Sequence, residues 1–193
     1  MNSEVNCVFC DQHACSSDVD EKLDSCSRIS TKKALEKAKQ ICNTDEQIKR
    51  MAVVSKSVDK DGYMKWPRVR ELIELCKRMQ YKKLGIAFCV GLRKEARQLT
   101  KILKSHEFLV STVACSVNGE GNCNPVGQAL VINQEKTEFN IVIGLCIGHD
   151  VMFTKFSEAP VTTLAVKDRV TCHNPAAVLV NSYWCDTFLK NSK

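Results

Sequence analysis

No stretch of this sequence approaches the roughly 18–20 uninterrupted apolar residues of a membrane-spanning helix. The first residues lack a basic start followed by an apolar run, so no secretory leader is read and the expected compartment is the cytosol, where thiols stay reduced. No Gly-x4-Gly-Lys-Ser/Thr occurs, and Gly119-x-Gly121 lacks the third glycine of a dinucleotide loop, which removes the usual nucleotide-binding signatures. Asp59-Lys-Asp-Gly62 places its glycine fourth rather than sixth, so it is not a calcium loop. Internal repeats and low-complexity tracts are absent, and aromatics make up only 6% of the chain.

What is present is an ordinary globular composition, 44% hydrophobic and 26% charged, with twelve cysteines among 193 residues. In a reduced protein so many thiols point to metal ligation or redox chemistry rather than to disulfides. Cys42, Cys76 and Cys185 sit among apolar or helical neighbours and are expected to be small buried hydrophobes. Charge is uneven. Residues 32–104 hold 20 basic against 8 acidic side chains, and the remainder 8 against 14. The basic residues are spread over several helices with few interleaved aromatics, which favours a solvated face over a nucleic-acid partner.

The pattern divides the chain into a Cys-rich segment (1–30), a helical region (31–82) packing on the core, and an α/β core (83–193). Residues 1–30 lack apolar periodicity, so their order would have to come from a ligand. Ser30 or Thr31 is expected to cap a helix through about residue 42, and Asp45 another through about 58. The second breaks at Asp59, and a helix follows from Trp66-Pro67 to about 79. Strands are predicted at 84–90, 108–114, 139–145 and 161–166. Helices are predicted at 92–106, 125–133, about 150–156, and as one element from Pro175 toward 189. Strands alternating with helices imply a mostly parallel, doubly wound, Rossmann-like sheet.

Two cysteine constellations follow. Cys7-x2-Cys10-x4-Cys15-x10-Cys26, with His13 inside it, could wrap a tetrahedral zinc or an iron–sulfur cluster. The second emerges when the strands are laid over the sequence. Cys89 and Cys146 end the first and third strands, Cys115 follows the second, and Cys123 lies in the next loop. Ligands of an open parallel sheet bind beyond its carboxyl ends. His149, Asp150, Asp168 and His173 come from loops on that edge. Such a mixed soft and borderline donor set suits zinc, iron or an iron–sulfur cluster, and not magnesium or calcium.

Leu84-Gly-Ile-Ala-Phe-Cys-Val-Gly-Leu92, Cys123-Asn-Pro125, Gly144-Leu-Cys-Ile-Gly-His-Asp150, Ala159-Pro-Val-Thr162 and Lys167-Asp-Arg-Val-Thr-Cys-His-Asn-Pro175 resemble one family pattern. It is the uncharacterised, cysteine-rich, presumed metal-binding group called domain of unknown function 1847, common in anaerobic bacteria and archaea. The resemblance implies a metal and no particular reaction. Cys172 departs from the glycine that the family pattern more often carries before His-Asn-Pro.

Three functions compete. The first is a metal-binding protein, with a closed site at Cys7, Cys10, Cys15 and Cys26 and an open one at Cys89, Cys115, Cys123, Cys146 and His149. Its role would be redox, metal handling or sensing, with a small molecule or redox protein as partner. The second is a thiol- or metal-dependent enzyme with Cys146 or Cys89 as nucleophile, His149 as base and Asp150 or Asp168 orienting it. A nucleic-acid module using the basic helices ranks last, and no membrane partner is expected.

Overall fold

The structure is a computed structural model describing residues 7–10, 15, 26, 31–119 and 121–190. The chain divides into two compact units, Met1–Ser57 and Val58–Lys193. In the first unit, a 3-10 turn (Cys7–Phe9) is followed by helix α1 (Lys32–Thr44) and by α2 (Glu46–Gly62), which continues into the second unit. As expected, Asp45 caps α2: its Oδ1 accepts from the N–H groups of Gln47 at 2.9 Å and Ile48 at 3.0 Å.

Two expectations are corrected in this region. Helix α2 does not break at Asp59 but runs to Gly62, because Asp59, Lys60 and Asp61 lie exposed on a helix face where charge is tolerated. It ends where a Cβ on Gly62 would run into the Trp66 ring. Cys42 is exposed rather than buried, since α1 carries no buried side chain at all. Cys76 does behave as a buried hydrophobe, and burial pushes its thiol up to about 12.

The second unit continues with α3 (Arg68–Met79), β1 (Lys83–Phe88), α4 (Arg93–Ser105) and β2 (Leu109–Ala114). Then come α5 (Pro125–Gln134), β3 (Phe139–Ile143), α6 (Ile147–Phe156), β4 (Val161–Ala165), α7 (Ala176–Leu179) and α8 (Ser182–Lys190). The four strands form one all-parallel sheet in the order β2-β1-β3-β4. This is the expected α/β, Rossmann-like architecture. The central strands are continuous apolar runs because helices cover both their faces. All five residues of β3 are buried, and so are the middle four of β1.

The chain leaves β1 toward β2 on one side and later returns across it to β3. Right-handed crossovers then place α4 on one face of the sheet and α5 and α6 on the other. The β1–β3 boundary is therefore the topological switch point. On the α5–α6 face the core is built from Ala87, Cys89, Val113, Cys115, Ala129, Ile132, Val142, Leu145 and Phe153. Among the described residues no helix is long and apolar enough to cross a membrane.

Several element ends differ from the expectation. Strands β1 and β3 stop two residues earlier than expected, so Cys89 lies one residue beyond β1 and Cys146 three beyond β3, while β2 ends at Ala114 as expected. Helix α6 starts at Ile147, not near Asp150, because Cys146 takes the extended N-cap conformation and its carbonyl accepts from the Asp150 N–H at 3.0 Å. The single terminal helix is two. Asn181 interrupts it and its Oδ1 accepts from Trp184 N–H at 3.3 Å, restarting the helix as a side-chain cap.

Among the described residues two polar side chains are wholly buried, Gln128 and Asn140. Asn140 in β3 accepts from Thr137 Oγ1 at 2.7 Å and donates to Ser157 Oγ at 2.8 Å, tying the sheet to the end of α6. Its neighbour across the β1–β3 ladder is Gly85. A Cβ there would collide with Asn140 Oδ1 and with Ile132 Cγ2. The G85A substitution is expected to overpack this spot and destabilise the protein by about 2 kcal/mol, read as a lower urea midpoint at unchanged slope. An unchanged midpoint would show that the Asn140 pocket yields freely.

Candidate functional site

The site begins where the ladders end. The Cys89 N–H still pairs with Ile143 O at 3.1 Å, after which the chain turns into a short 3-10 segment (Val90–Leu92) capped by Cys89 itself. Its Sγ accepts from the Gly91 N–H at 3.4 Å. On the other side of the switch point, Gly144 holds a left-handed φ of 61° and donates to Ala165 O at 2.7 Å. A side chain there would strike Leu92, so glycine lets the β3 exit pass the β1 exit closely. Cys146 follows at the N-cap of α6.

Cys115 directly succeeds β2, and its carbonyl accepts from the Asn124 N–H at 2.7 Å. That bond brings the residues before α5 back to the end of β2 and sets Cys123 beside Cys115. Asn124 then caps α5 through the Gly127 N–H at 2.7 Å, with Pro125 in the first turn. Gln128 braces the same corner, donating to Val113 O at 2.8 Å and Phe88 O at 3.3 Å. Its Oε1 is buried and has no hydrogen-bond partner among the described residues.

The group that binds this edge together is Lys167, two residues beyond β4. Its Nζ lies 2.6 Å from Cys89 Sγ and 3.7 Å from Cys146 Sγ. The Cys115 side chain interacts with those of both Cys89 and Cys123. Four thiols from four separate segments thus adjoin one another or a shared ammonium. Cys89 and Cys115 are buried, Cys146 is half-buried and Cys123 is exposed.

Burial pushes the Cys89 thiol up, but the Lys167 ammonium and the Gly91 N–H together outweigh it, so the thiol ionises more readily than usual. Cys115 goes the other way. Burial raises it, and the neighbouring Cys123 and Cys89 reinforce the rise against a backbone hydrogen bond at Val90. Burial works against the Lys167 ammonium, yet the Cys89 and Cys146 sulfurs prevail and hold it charged above its ordinary range.

The remaining sequence candidates arrange themselves differently. His149 interacts electrostatically with Asp150, whose carboxyl is raised by burial against that opposing influence. Asp150 Oδ1 is buried without a hydrogen-bond partner among the described residues. Asp168 and His173 close a turn of their own. His173 Nδ1 accepts from the Asp168 N–H at 3.0 Å, which leaves the ring proton on Nε2 in the neutral tautomer. Hydrogen bonding from Thr171 and from the Val170 N–H holds the Asp168 carboxyl below its usual range. Cys172 and His173 both take left-handed φ values, 53° and 66°. It is a backbone conformation that glycine adopts without steric cost and a side-chain-bearing residue does not.

In the first unit, the Cys10 N–H donates to Cys7 O at 3.3 Å, the tight turn that a Cys-x2-Cys pair requires. Cys7 and Cys15 are exposed and Cys10 and Cys26 half-buried, while His13 lies outside the described residues.

The donor set at the sheet edge fits a soft cation, because thiolates favour zinc and iron over magnesium or calcium. As they stand, the sulfurs are spaced for contacts with one another and with Lys167. Among the described residues no group of three or more His, Cys, Asp or Glu side chains surrounds a common point. Lys167 went unnoticed in the sequence because a single lysine after a strand reads as a surface residue. The available signal was its position, just past the fourth strand on the edge where the cysteines converge.

Fold and site together define a Rossmann-like α/β protein with a cysteine cluster at its switch point. Residues 26–164 match the family described as Protein of unknown function (DUF1847), and the chain belongs to that family. It is 41% identical over 202 residues to the uncharacterized protein MJ0455 of Methanocaldococcus jannaschii, covering 96% of this chain and 99% of that relative. No solved structure matches.

Replacing Lys167 by Met leaves burial as the dominant influence on Cys89, so its thiol should ionise at higher pH than in the native protein. Site-resolved iodoacetamide labelling of metal-free protein against pH reads this directly. The Cys89 profile should move to higher pH in K167M and stay closer to native in K167R. Superimposable profiles would remove Lys167 as the group that sets this thiolate.

Proposed function

We propose that this protein binds a soft metal, a zinc ion or an iron–sulfur cluster, through Cys89, Cys115, Cys123 and Cys146 at the switch point. The observation that carries this reading is the convergence of four thiols from four chain segments on one sheet edge, two of them against a single lysine. Neighbouring thiolates repel, and a single ammonium offsets about one unit of negative charge. A divalent cation or a cluster would supply the remaining positive charge and make full ionisation favourable. When bound, such a group would supply Lewis acidity or a one-electron couple.

The chain's own residues would do the rest. Gly91 N–H and Lys167 hydrogen-bond sulfur and temper the charge of the thiolate set, a common means by which a protein tunes such sites. His149, three residues into the same corner, is the candidate additional ligand. Cys7, Cys10, Cys15 and Cys26 would form a second, coordinatively closed site. In this reading the role is redox, metal handling or sensing, and any small molecule would meet the edge near the half-buried Cys146.

A second reading, a thiol-dependent enzyme, is favoured by one specific observation, the 2.6 Å approach of Lys167 to Cys89. Of the two candidate nucleophiles, Cys146 and Cys89, it favours Cys89. A metal-binding protein should protect Cys89 from alkylation until its metal is removed. An enzyme should keep one hyper-reactive thiol in the protein as isolated.

The test is zinc, iron and acid-labile sulfide per chain in protein purified without oxygen, for the native chain and two fourfold Cys→Ser variants. Replacing Cys89, Cys115, Cys123 and Cys146 should remove one complement of metal. Replacing Cys7, Cys10, Cys15 and Cys26 should leave that complement in place. Metal content unaffected by the first set of substitutions would refute the site, and a folded, metal-free native protein would refute the reading as a whole.

A further inference from the structure

Of the four thiols at the sheet edge, three form a graded path from solvent to core. Cys123 is exposed, at the end of the glycine-containing loop. Cys115 is 2% exposed and interacts with Cys123 on one side and Cys89 on the other. Cys89 is 5% exposed. The backbone brings the inner two into reach of each other. Phe88 and Ala114 are the last paired residues of β1 and β2, so Cys89 and Cys115 are the next residues of two adjacent strands. Neighbouring strands lie about 4.8 Å apart, inside the roughly 4.4–6.8 Å Cα window of a disulfide. The Asn124 N–H bond to Cys115 O holds Cys123 against the same point.

We infer that Cys123, Cys115 and Cys89 form a thiol–disulfide relay, in which exposed Cys123 accepts oxidising equivalents from a small-molecule disulfide and passes them to a buried Cys89–Cys115 disulfide. The chemistry balances in three exchanges. The Cys123 thiolate attacks a small disulfide R–S–S–R, forming a Cys123–S–S–R bond and releasing one RS⁻, which takes up the proton Cys123 gave to solvent. Cys115 then attacks Cys123 Sγ, expels the second RS⁻ and closes a Cys115–Cys123 disulfide. Finally Cys89 attacks Cys115 Sγ and frees the Cys123 thiolate. The sum is R–S–S–R plus two thiols giving two RSH plus Cys89–S–S–Cys115. The small disulfide is the oxidant, and the reverse sequence reduces it.

The direction of the relay follows from access. A disulfide larger than a water molecule cannot reach sulfurs as covered as Cys89 and Cys115, whereas Cys123 is open to it. The relay operates in the metal-free site and does not depend on metal being bound at other times. If the metal reading also holds, a consequence that rests on it is that oxidation consumes two of the four ligands and switches the site off.

The experiment uses full-length protein, reduced, treated with chelator and kept without oxygen. Oxidised glutathione is added, free thiols are alkylated at timed intervals, and the disulfides are mapped after cleavage at Lys and Arg and then at Glu. The sequence helps here, since cleavage after Glu120 separates Cys115 from Cys123. The native protein should accumulate the Cys89–Cys115 disulfide. C123S should form it on the order of tenfold more slowly, because direct attack on the buried pair is obstructed. C115S should retain glutathione on Cys123. Absence of the Cys89–Cys115 disulfide, or its formation in C123S at the native rate, overturns the relay. Zinc uptake by the reduced and oxidised forms of protein in which Cys7, Cys10, Cys15 and Cys26 are replaced by Ser, so that only the sheet-edge site contributes, separates the two readings. Uptake lost on oxidation and restored by a dithiol upholds both. A working relay in protein that takes up no zinc in either state, and that carries no iron when purified without oxygen, upholds the relay and removes the metal reading.

Discussion

Parallel pairing of β1 with β3 is the constraint on which everything else at the site depends. The Cys89 N–H extends that ladder by one bond to Ile143 O, and from there the two chains diverge, one into the 3-10 turn and the other through Gly144 to Cys146. Because all four strands run the same way, their exits fall on one edge. A one-residue slip would turn Cys89 away from the α5–α6 face and dissolve the cluster. Gly85 and Asn140 resist that slip. The buried carboxamide is fixed by hydrogen bonds to Thr137 and Ser157, and a Cβ on the β1 residue opposite it would collide with its oxygen.

Charge is the second constraint. The switch point gathers thiols, which are weak acids that resist ionising together, and Lys167 is the cation that touches two of them. The lysine depresses Cys89 while burial and the neighbouring sulfurs raise Cys115, so adjacent residues of similar exposure acquire opposite tendencies. Metal ligation would draw on all the sulfurs at once. Thiol exchange would use them in sequence. Both chemistries need the same convergence, which is why a single edge supports the two proposals. A separate cationic feature, the groove between α4 and β2, gathers Arg93, Arg97, Lys101 and Lys104, with Phe88 as its one aromatic side chain. That lining lacks the stacking platform of a single-strand nucleic-acid site.

Much of this was legible in the sequence because the signals are strong and local. Continuous apolar runs around Ile86 and Ile141 could only be strands covered on both faces, and Pro125 and Pro175 marked turns into helices. Alternation of strand and helix then implied the shared edge, and with it the grouping of Cys89, Cys115, Cys123 and Cys146. Other features depended on three-dimensional context. Lys167 gains its role only from the closeness of Cys89, 78 residues away in the chain. Gln128 and Asn140 look like ordinary polar residues until their burial is known. His149 stands one turn from Cys146, and it interacts electrostatically with Asp150, one of the two carboxylates the sequence offered to orient it. Local propensity also misled at Asp59, where exposed charges let α2 continue, and at Cys42, on a helix with no buried face.

The central claim is that the switch-point thiols bind one metal centre together. X-ray absorption at the metal edge tests it most directly, on protein in which Cys7, Cys10, Cys15 and Cys26 are replaced by Ser, so that only the sheet-edge site contributes. The account expects a shell dominated by sulfur, at about 2.3 Å if the metal is zinc. A shell of oxygen and nitrogen alone, or no bound metal in that variant, would contradict it.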